Sequence, residues 1–405
     1  MKKIKVLIVD DSRIMRKLIS GVLEADERVE VVGQAEHGVE CLEKVVQLQP
    51  DVVTLDLNMP VMDGLTVLRE SKARNLATTY LVVSSLAKRD AQITLDAITE
   101  GAIDFILKPS QAFNIGQMGR EIIEKILIAS VNAKKMAAQP AETSGAPDAS
   151  PAPVAETPAA GTPVAPAGTG TAPSATSRLA SLSSTQLAEA AARMMQQRQQ
   201  TAAAAAAGAT PEKPAFPKAD LTVIGGSSGS IQTLVKIVPF LPAAFGSAVV
   251  IVLHLPPFFT TQFTLQLSHK CPIPVQEAAD GMTFEPRKVY LAPGGDKNVI
   301  MRRQDDGTVA FKLIENDANS MYTPSIDILM SSVAEIYKGK CRGILISGTG
   351  NDGVEGLRSI RNGGGGTFVQ DKATAIANQL PFAALKAGVV DKTLSIQDIL
   401  VMLSA

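Results

Sequence analysis

Apolar runs and helix-period stripes alternate along the first 130 or so residues. Residues 4–9 form an apolar run that closes on Asp10 and Asp11, the pattern of a buried parallel strand. Ser12 is placed to cap a helix over 13–23. Further strands are predicted over 29–32, 52–55, 80–83 and 103–107, and helices over 39–47 and from 65 to 71. A closing helix is expected from Phe113 onward, with apolar positions at Ile115, Ile122, Ile126 and Leu127. Such alternation predicts a doubly wound parallel sheet with helices on both faces.

From 131 to 215 the pattern dissolves into Ala, Pro, Thr, Ser and Gly, with Pro147, Pro151, Pro153, Pro158, Pro163, Pro166 and Pro173. That composition cannot bury enough apolar surface to offset its ordering entropy, so a long disordered linker is expected. A flexible chain of roughly 85 residues spans about 50 Å root-mean-square, at ~5–6 Å × √n. Within it, residues 179–200 are rich in Ala, Leu, Met and Gln and read as a low-complexity helix or a docking element. Order resumes near Phe216. Strands are predicted over 221–224, 248–253, 286–291, 344–346 and 367–369, with helices from Ile231, over 325–334 and over 354–360. The expected domains are therefore 1–130, a linker over 131–215, and a second α/β domain over 216–405.

Composition narrows the function classes. The 405 residues carry a formal net charge of −1, which gives no bulk attraction to nucleic acid or anionic membrane. Cys41, Cys271 and Cys341 are few and far apart, so neither a disulfide framework nor a zinc site is indicated. The N-terminal apolar run is broken by Asp10 and has no cleavage pattern, and no apolar stretch approaches a membrane span. A soluble cytoplasmic protein is expected.

In the first domain, Asp10, Asp11 and Asp56 all fall at strand ends, where open α/β sheets bind ligands. Clustered acids repel unless a cation joins them, and Mg²⁺ prefers carboxylate oxygen. With Mg²⁺ held by Asp10, Asp11 and Asp56, Asp56 becomes a phosphoryl acceptor. Ser84 and Lys108, at the ends of the next two strands, are the phosphate-contacting residues. Phe105 is a candidate aromatic reporter on the fifth strand. Together these positions resemble the receiver domain of bacterial response regulators, over residues 3–128. The resemblance implies Mg²⁺-dependent phosphotransfer from a histidine kinase to Asp56.

The second domain opens with Gly225-Gly-Ser-Ser-Gly229, a G-x-S-x-G pattern between strand and helix that exposes a serine hydroxyl. Glycine-rich turns also cradle phosphates, but a spaced G-x-G-x-x-G is lacking, and Tyr290, Tyr322 and Tyr337 have no lysine four residues on. A nucleophilic serine needs a base and an orienting acid. Of the three histidines, His37 belongs to the first domain and His269 lies beside Lys270; His254 ends a buried strand. Asp352, in Gly350-Asn-Asp-Gly353, is the candidate acid or else a helix cap. The backbone N–H groups of Ser228 and Thr349 are the candidate oxyanion donors.

These residues, with His254-Leu-Pro-Pro-Phe-Phe-Thr260, Leu291-Ala-Pro-Gly-Gly295, Pro324-Ser-Ile-Asp327 and Ser347-Gly-Thr-Gly-Asn-Asp-Gly353, resemble the catalytic domain of the chemotaxis protein-glutamate methylesterases (the CheB family) over residues 218–403. The resemblance implies Ser227, His254 and Asp352 as a triad with no cofactor. It implies a methylated chemoreceptor-like protein as substrate, glutamine deamidation as a second reaction, no nucleic-acid partner, and only peripheral association with membrane receptors. Three places depart from the family pattern. Thr349 stands where Met is usual, Thr323 where Arg is common, and Gln379-Leu-Pro381 where Gly-Met-Pro is usual. The Thr349 change leaves its backbone N–H available.

The reading is a phosphorylation-activated serine hydrolase whose unphosphorylated receiver packs against the mouth around Ser227 and His254. Given the long linker, that docking must rest on a specific interface. The alternative is a non-catalytic response regulator whose C-terminal domain only binds a partner; intact Ser227, His254 and Asp352 argue against it.

Overall fold

The computed structural model describes residues 2–109, 115–138, 216, 218–316 and 321–404. The expected helix over 179–200 and most of the expected linker lie outside them. In the first half, β1 (Ile4–Val9), β2 (Val29–Ala35), β3 (Val52–Asp56), β4 (Thr79–Ser84) and β5 (Asp104–Leu107) form one parallel sheet in the order β2-β1-β3-β4-β5. Helices α1 (Arg13–Glu24), α2 (Gly38–Leu48), α3 (Gly64–Ala73), α4 (Lys88–Glu100) and α5 (Ile115–Ala138) cover its two faces. Side chains open three of them. Ser12 accepts from the Met15 N–H, His37 Nδ1 from Glu40 and Asp63 from Thr66.

Two sequence expectations change in this half. Helix α4 was not foreseen, because it starts at Ala87 without a side-chain cap and its inward stripe mixes Ala91, Leu95 and Ile98 with Asp90 and Thr94. Helix α5 runs on to Ala138, past the expected linker start at 131.

In the second half, β6 (Leu221–Gly226), β7 (Ala248–Leu253), β8 (Val275–Glu277), β9 (Val289–Leu291), β12 (Cys341–Leu345), β13 (Gly366–Gln370) and β14 (Lys392–Leu394) make a seven-stranded parallel sheet in the order β14-β13-β12-β6-β7-β9-β8. A separate antiparallel pair, β10 (Lys297–Arg303) and β11 (Val309–Glu315), was absent from the sequence reading. Around the sheet lie α6 (Ser230–Leu234), α7 (Phe259–Ser268), α8 (Ile326–Tyr337), α9 (Val354–Asn362), α10 (Gln379–Lys386) and α11 (Ile396–Ser404).

The apolar core does not stop at the domain boundary. One cluster holds Leu55, Val82, Leu95 and Phe105 of the first half together with Ile231, Phe259 and Phe263 of the second. Phe105 stacks on Phe259 with ring centroids 4.6 Å apart and planes 5° off parallel. Polar side chains frame that stack. Gln232 donates to the Ala102 carbonyl at 2.5 Å, and Gln266 donates to Thr99 Oγ1 at 3.1 Å. At the far end of α5, Asn132 donates to the Ile376 carbonyl at 2.8 Å.

Candidate active site and phosphoacceptor site

Both groups of candidate residues lie at the carboxyl ends of parallel strands, where strand order reverses and an open sheet leaves a crevice. In the first sheet the reversal is between β1 and β3. Asp10 and Asp11 follow β1, Asp56 ends β3, and their carboxylate oxygens lie within 4.8 Å of one another. Asp10 and Asp56 are buried and Asp11 is exposed. Lys108 Nζ sits 2.8 Å from Asp56 Oδ2 and 3.0 Å from Asp10 Oδ2. Burial pushes the Asp56 carboxyl above its ordinary range, and Lys108 opposes the shift. One ammonium leaves three converging carboxylates with excess negative charge, and their hard oxygens fit a divalent cation of the Mg²⁺ type. Ser84 ends β4 with its hydroxyl 2.7 Å from Thr94 Oγ1 on α4.

In the second sheet the reversal is between β12 and β6. Ser227 follows β6, Asp352 lies in the loop after β12, and His254 directly follows the adjacent β7. His254 Nε2 is 2.8 Å from Asp352 Oδ2. Asp352 Oδ2 also accepts from the Ile326 N–H at 2.7 Å, and Oδ1 accepts from Ser325 Oγ and the Asp327 N–H, both at 3.0 Å. Those two backbone donors open α8, so the carboxylate rests on a helix N-terminus. Burial alone would raise its pKa, but His254 and the two N–H groups hold it below the ordinary carboxylate range. An ionised carboxylate only accepts, so Nε2 carries a proton, and in the neutral ring Nδ1 is then the acceptor. Tyr322 stacks on the His254 ring at 4.9 Å, with planes 11° apart. Among the described residues no hydrogen bond ties Ser227 Oγ to His254; such contacts commonly close only around substrate.

The serine turn is pinned one peptide at a time. The Ser227 N–H donates to the Ser347 carbonyl at 3.0 Å, and the Ser227 carbonyl accepts from the Ser230 N–H at 3.0 Å. In a trans peptide the C=O and N–H point opposite ways, so the Ser228 N–H is turned away from α6. Across the cleft, the Gly348 carbonyl accepts from the Leu380 N–H at 2.9 Å, which turns the Thr349 N–H the other way by the same geometry. Gly229 has φ +76°, and a Cβ there would lie 2.6 Å from Ile376 and 2.9 Å from Ser347 Oγ. Glycine is therefore required both for the turn and for the close packing.

Ser227, Ser228, His254, Tyr322 and Thr349 line one cleft of about 880 Å³. Its opposite wall comes from the first half of the chain and includes Ile103, Phe105 and Glu121. Residues 222–403 match the CheB methylesterase family and residues 6–118 the response regulator receiver domain. The protein-glutamate methylesterase/protein-glutamine glutaminase of Caldanaerobacter subterraneus subsp. tengcongensis is 33% identical over 98% of this chain and 96% of its own length. The chain belongs to the CheB methylesterase family. The Pseudomonas putida protein-glutamate methylesterase/protein-glutamine glutaminase of group 1 operon is 35% identical over 98% of this chain and 97% of its own length. A crystal structure of the Thermotoga maritima CheB methylesterase catalytic domain is 32% identical and covers 46% of this chain and 98% of that one, with a TM-score of 0.44.

Set against the family motifs, sequence reasoning missed four residues of the site. Tyr322 enters the sequence argument only through the lysine missing four residues on. Ser325 and Asp327 were seen as parts of a motif without a role, and Ser347 likewise. Burial and the charge of Asp352 push the Asp327 carboxyl up to about 6, although it accepts from the Gly356 N–H. Ser325 and Asp327 carried a readable signal, since Ser is a favoured N-cap and an acid in the first turn suits the positive end of the helix.

Proposed function

We propose that the chain removes methyl esters from glutamate side chains of chemoreceptors, and deamidates receptor glutamines, with Ser227, His254 and Asp352 as the catalytic triad. The observation that carries the reading is the hydrogen bond from His254 to an ionised Asp352 in the cleft that also exposes Ser227. His254 Nδ1 takes the Ser227 proton as Oγ attacks the ester carbonyl. The developing oxyanion is held by the N–H groups of Ser228 and Thr349. His254 then protonates the leaving methoxide, methanol departs, and water cleaves the acyl-enzyme by the same base. With a glutamine side chain the leaving group is ammonia.

The receiver supplies the control. Asp56 accepts the phosphoryl group from a histidine kinase, with Mg²⁺ held by Asp10, Asp11 and Asp56 and supplying charge neutralisation when bound. Ser84 and Lys108 contact the phosphate. Because the receiver forms one wall of the cleft, the unphosphorylated state excludes a large helical substrate. Phosphorylation weakens that contact. This reading places the protein in the cytoplasm, meeting membranes only through receptors. The test is methanol release from a methylated chemoreceptor by the full chain with acetyl phosphate and Mg²⁺. Release should be abolished by Ser227→Ala; turnover within a few-fold of the parent would sink the triad.

A further inference from the structure

Ser347 sits where the two turns bearing the oxyanion donors meet, and it is fully buried. Its carbonyl accepts from the Ser227 N–H at 3.0 Å. Its hydroxyl donates to the Ser228 carbonyl at 2.7 Å and accepts from the Ala377 N–H at 2.8 Å. Its own N–H donates to Gln370 Oε1 at 2.8 Å. One side chain thus joins three separate stretches, 226–230, 347–350 and 371–378, at a single oxygen.

We propose that Ser347 is a positioning residue for ester hydrolysis. Its hydroxyl holds the serine turn in register with the loop of Thr349, so that two N–H groups from different segments converge on one oxyanion. The inference rests on the reading of Ser227 as nucleophile and of these N–H groups as donors. Donors on two loops act together only if their spacing is kept to within about 0.5 Å. Main-chain bonds fix the peptides on either side of Ser227, and the peptide that follows, through the Ser228 carbonyl, is fixed by the Ser347 hydroxyl. Without that hydroxyl the Ser228 carbonyl and the Ala377 N–H lose a partner in a buried setting. The Ser227 carbonyl keeps its bond from the Ser230 N–H, but the peptide on the far side of Ser228 loses its anchor, so the Ser228 N–H is held from one side only and its aim loosens.

The test compares Ser347→Ala, Ser347→Cys and Ser347→Thr in the phosphorylated full chain. Methanol release is measured per active site, titrated with a serine-reactive fluorophosphonate. Losing an oxyanion donor outright costs about 10²–10³ in kcat, and a misaimed donor costs less. Ser347→Ala should lower kcat per titrated site about 10- to 100-fold with KM within two-fold, and Ser347→Thr should recover most of the loss. Ser347→Cys keeps the volume but only a weak donor, and should fall between them; it decides the matter if the alanine variant does not fold. A kcat per site within two-fold of the parent for Ala, or for Cys in its place, overturns the proposal, as does an equal loss in Thr. Ser227→Ala, run alongside, separates the two readings, because turnover in that variant would instead remove the triad.

Discussion

Two aspartates one hydrogen bond apart titrate in opposite directions. Asp352 is held ionised by His254 and by the first N–H groups of α8. Asp327, half-buried and beside that charge, is pushed up to about 6. The unfolded chain ionises Asp327 near the ordinary value of 3.8, so between about pH 4 and pH 6 the folded state binds the extra proton. Stability from this group is therefore full below that window and falls as pH rises through it. Asp327→Asn keeps an acceptor for the Gly356 N–H and removes the titration. It should flatten the loss of stability between pH 4 and pH 6, read from denaturant midpoints across that range. An unchanged slope would show that Asp327 does not carry the shift.

At the scale of elements, α4 connects the phosphoacceptor site to the catalytic half. Its Thr94 meets Ser84 at 2.7 Å, and five residues on, Thr99 meets Gln266 of α7 at 3.1 Å. On the proposed reading, in which a phosphate on Asp56 draws in Ser84, the Thr94 contact breaks or drags the helix with it. Thr94→Val keeps the shape and deletes the hydroxyl partner. Activity without phosphodonor should stay within two-fold of the parent, while the gain on adding acetyl phosphate should change several-fold, measured as the ratio of methanol-release rates. A ratio equal to the parent's would exclude α4 as the route. In the other half, the carboxylate bonded to His254 is also the one that the first turn of α8 donates to.

Over the whole molecule, the stack of Phe105 on Phe259 and the Gln232 and Gln266 contacts hold the receiver over the cleft. The contact is specific yet incomplete: Gln266 Oε1 is buried without a partner among the described residues. Replacing both glutamines by alanine should raise activity without phosphodonor several-fold and leave the phosphorylated rate near the parent's. If the unphosphorylated rate does not move, the receiver does not restrain the enzyme through this face.

Much of this was legible in the chain. The alternation of apolar runs predicted a parallel sheet and a second α/β domain, and the strand ends carried Asp10, Asp11, Asp56, Ser227, His254 and Asp352, because chemistry at a sheet mouth leaves polar residues directly after buried strands. The Ala- and Pro-rich stretch separated the halves by composition alone. Other features depended on partners distant in sequence. Helix α4 escaped notice because its buried stripe includes Asp90 and Thr94, satisfied only once neighbouring elements are in place. The hairpin of β10 and β11 alternates charged and apolar residues too irregularly to show a face. Which ring nitrogen of His254 faces Asp352, the stacking of Tyr322, the three-way junction at Ser347 and the meeting of Phe105 with Phe259 join residues up to about 150 positions apart. Periodicity reports which side of an element is buried. It does not report what lies across the gap, and packing decided that.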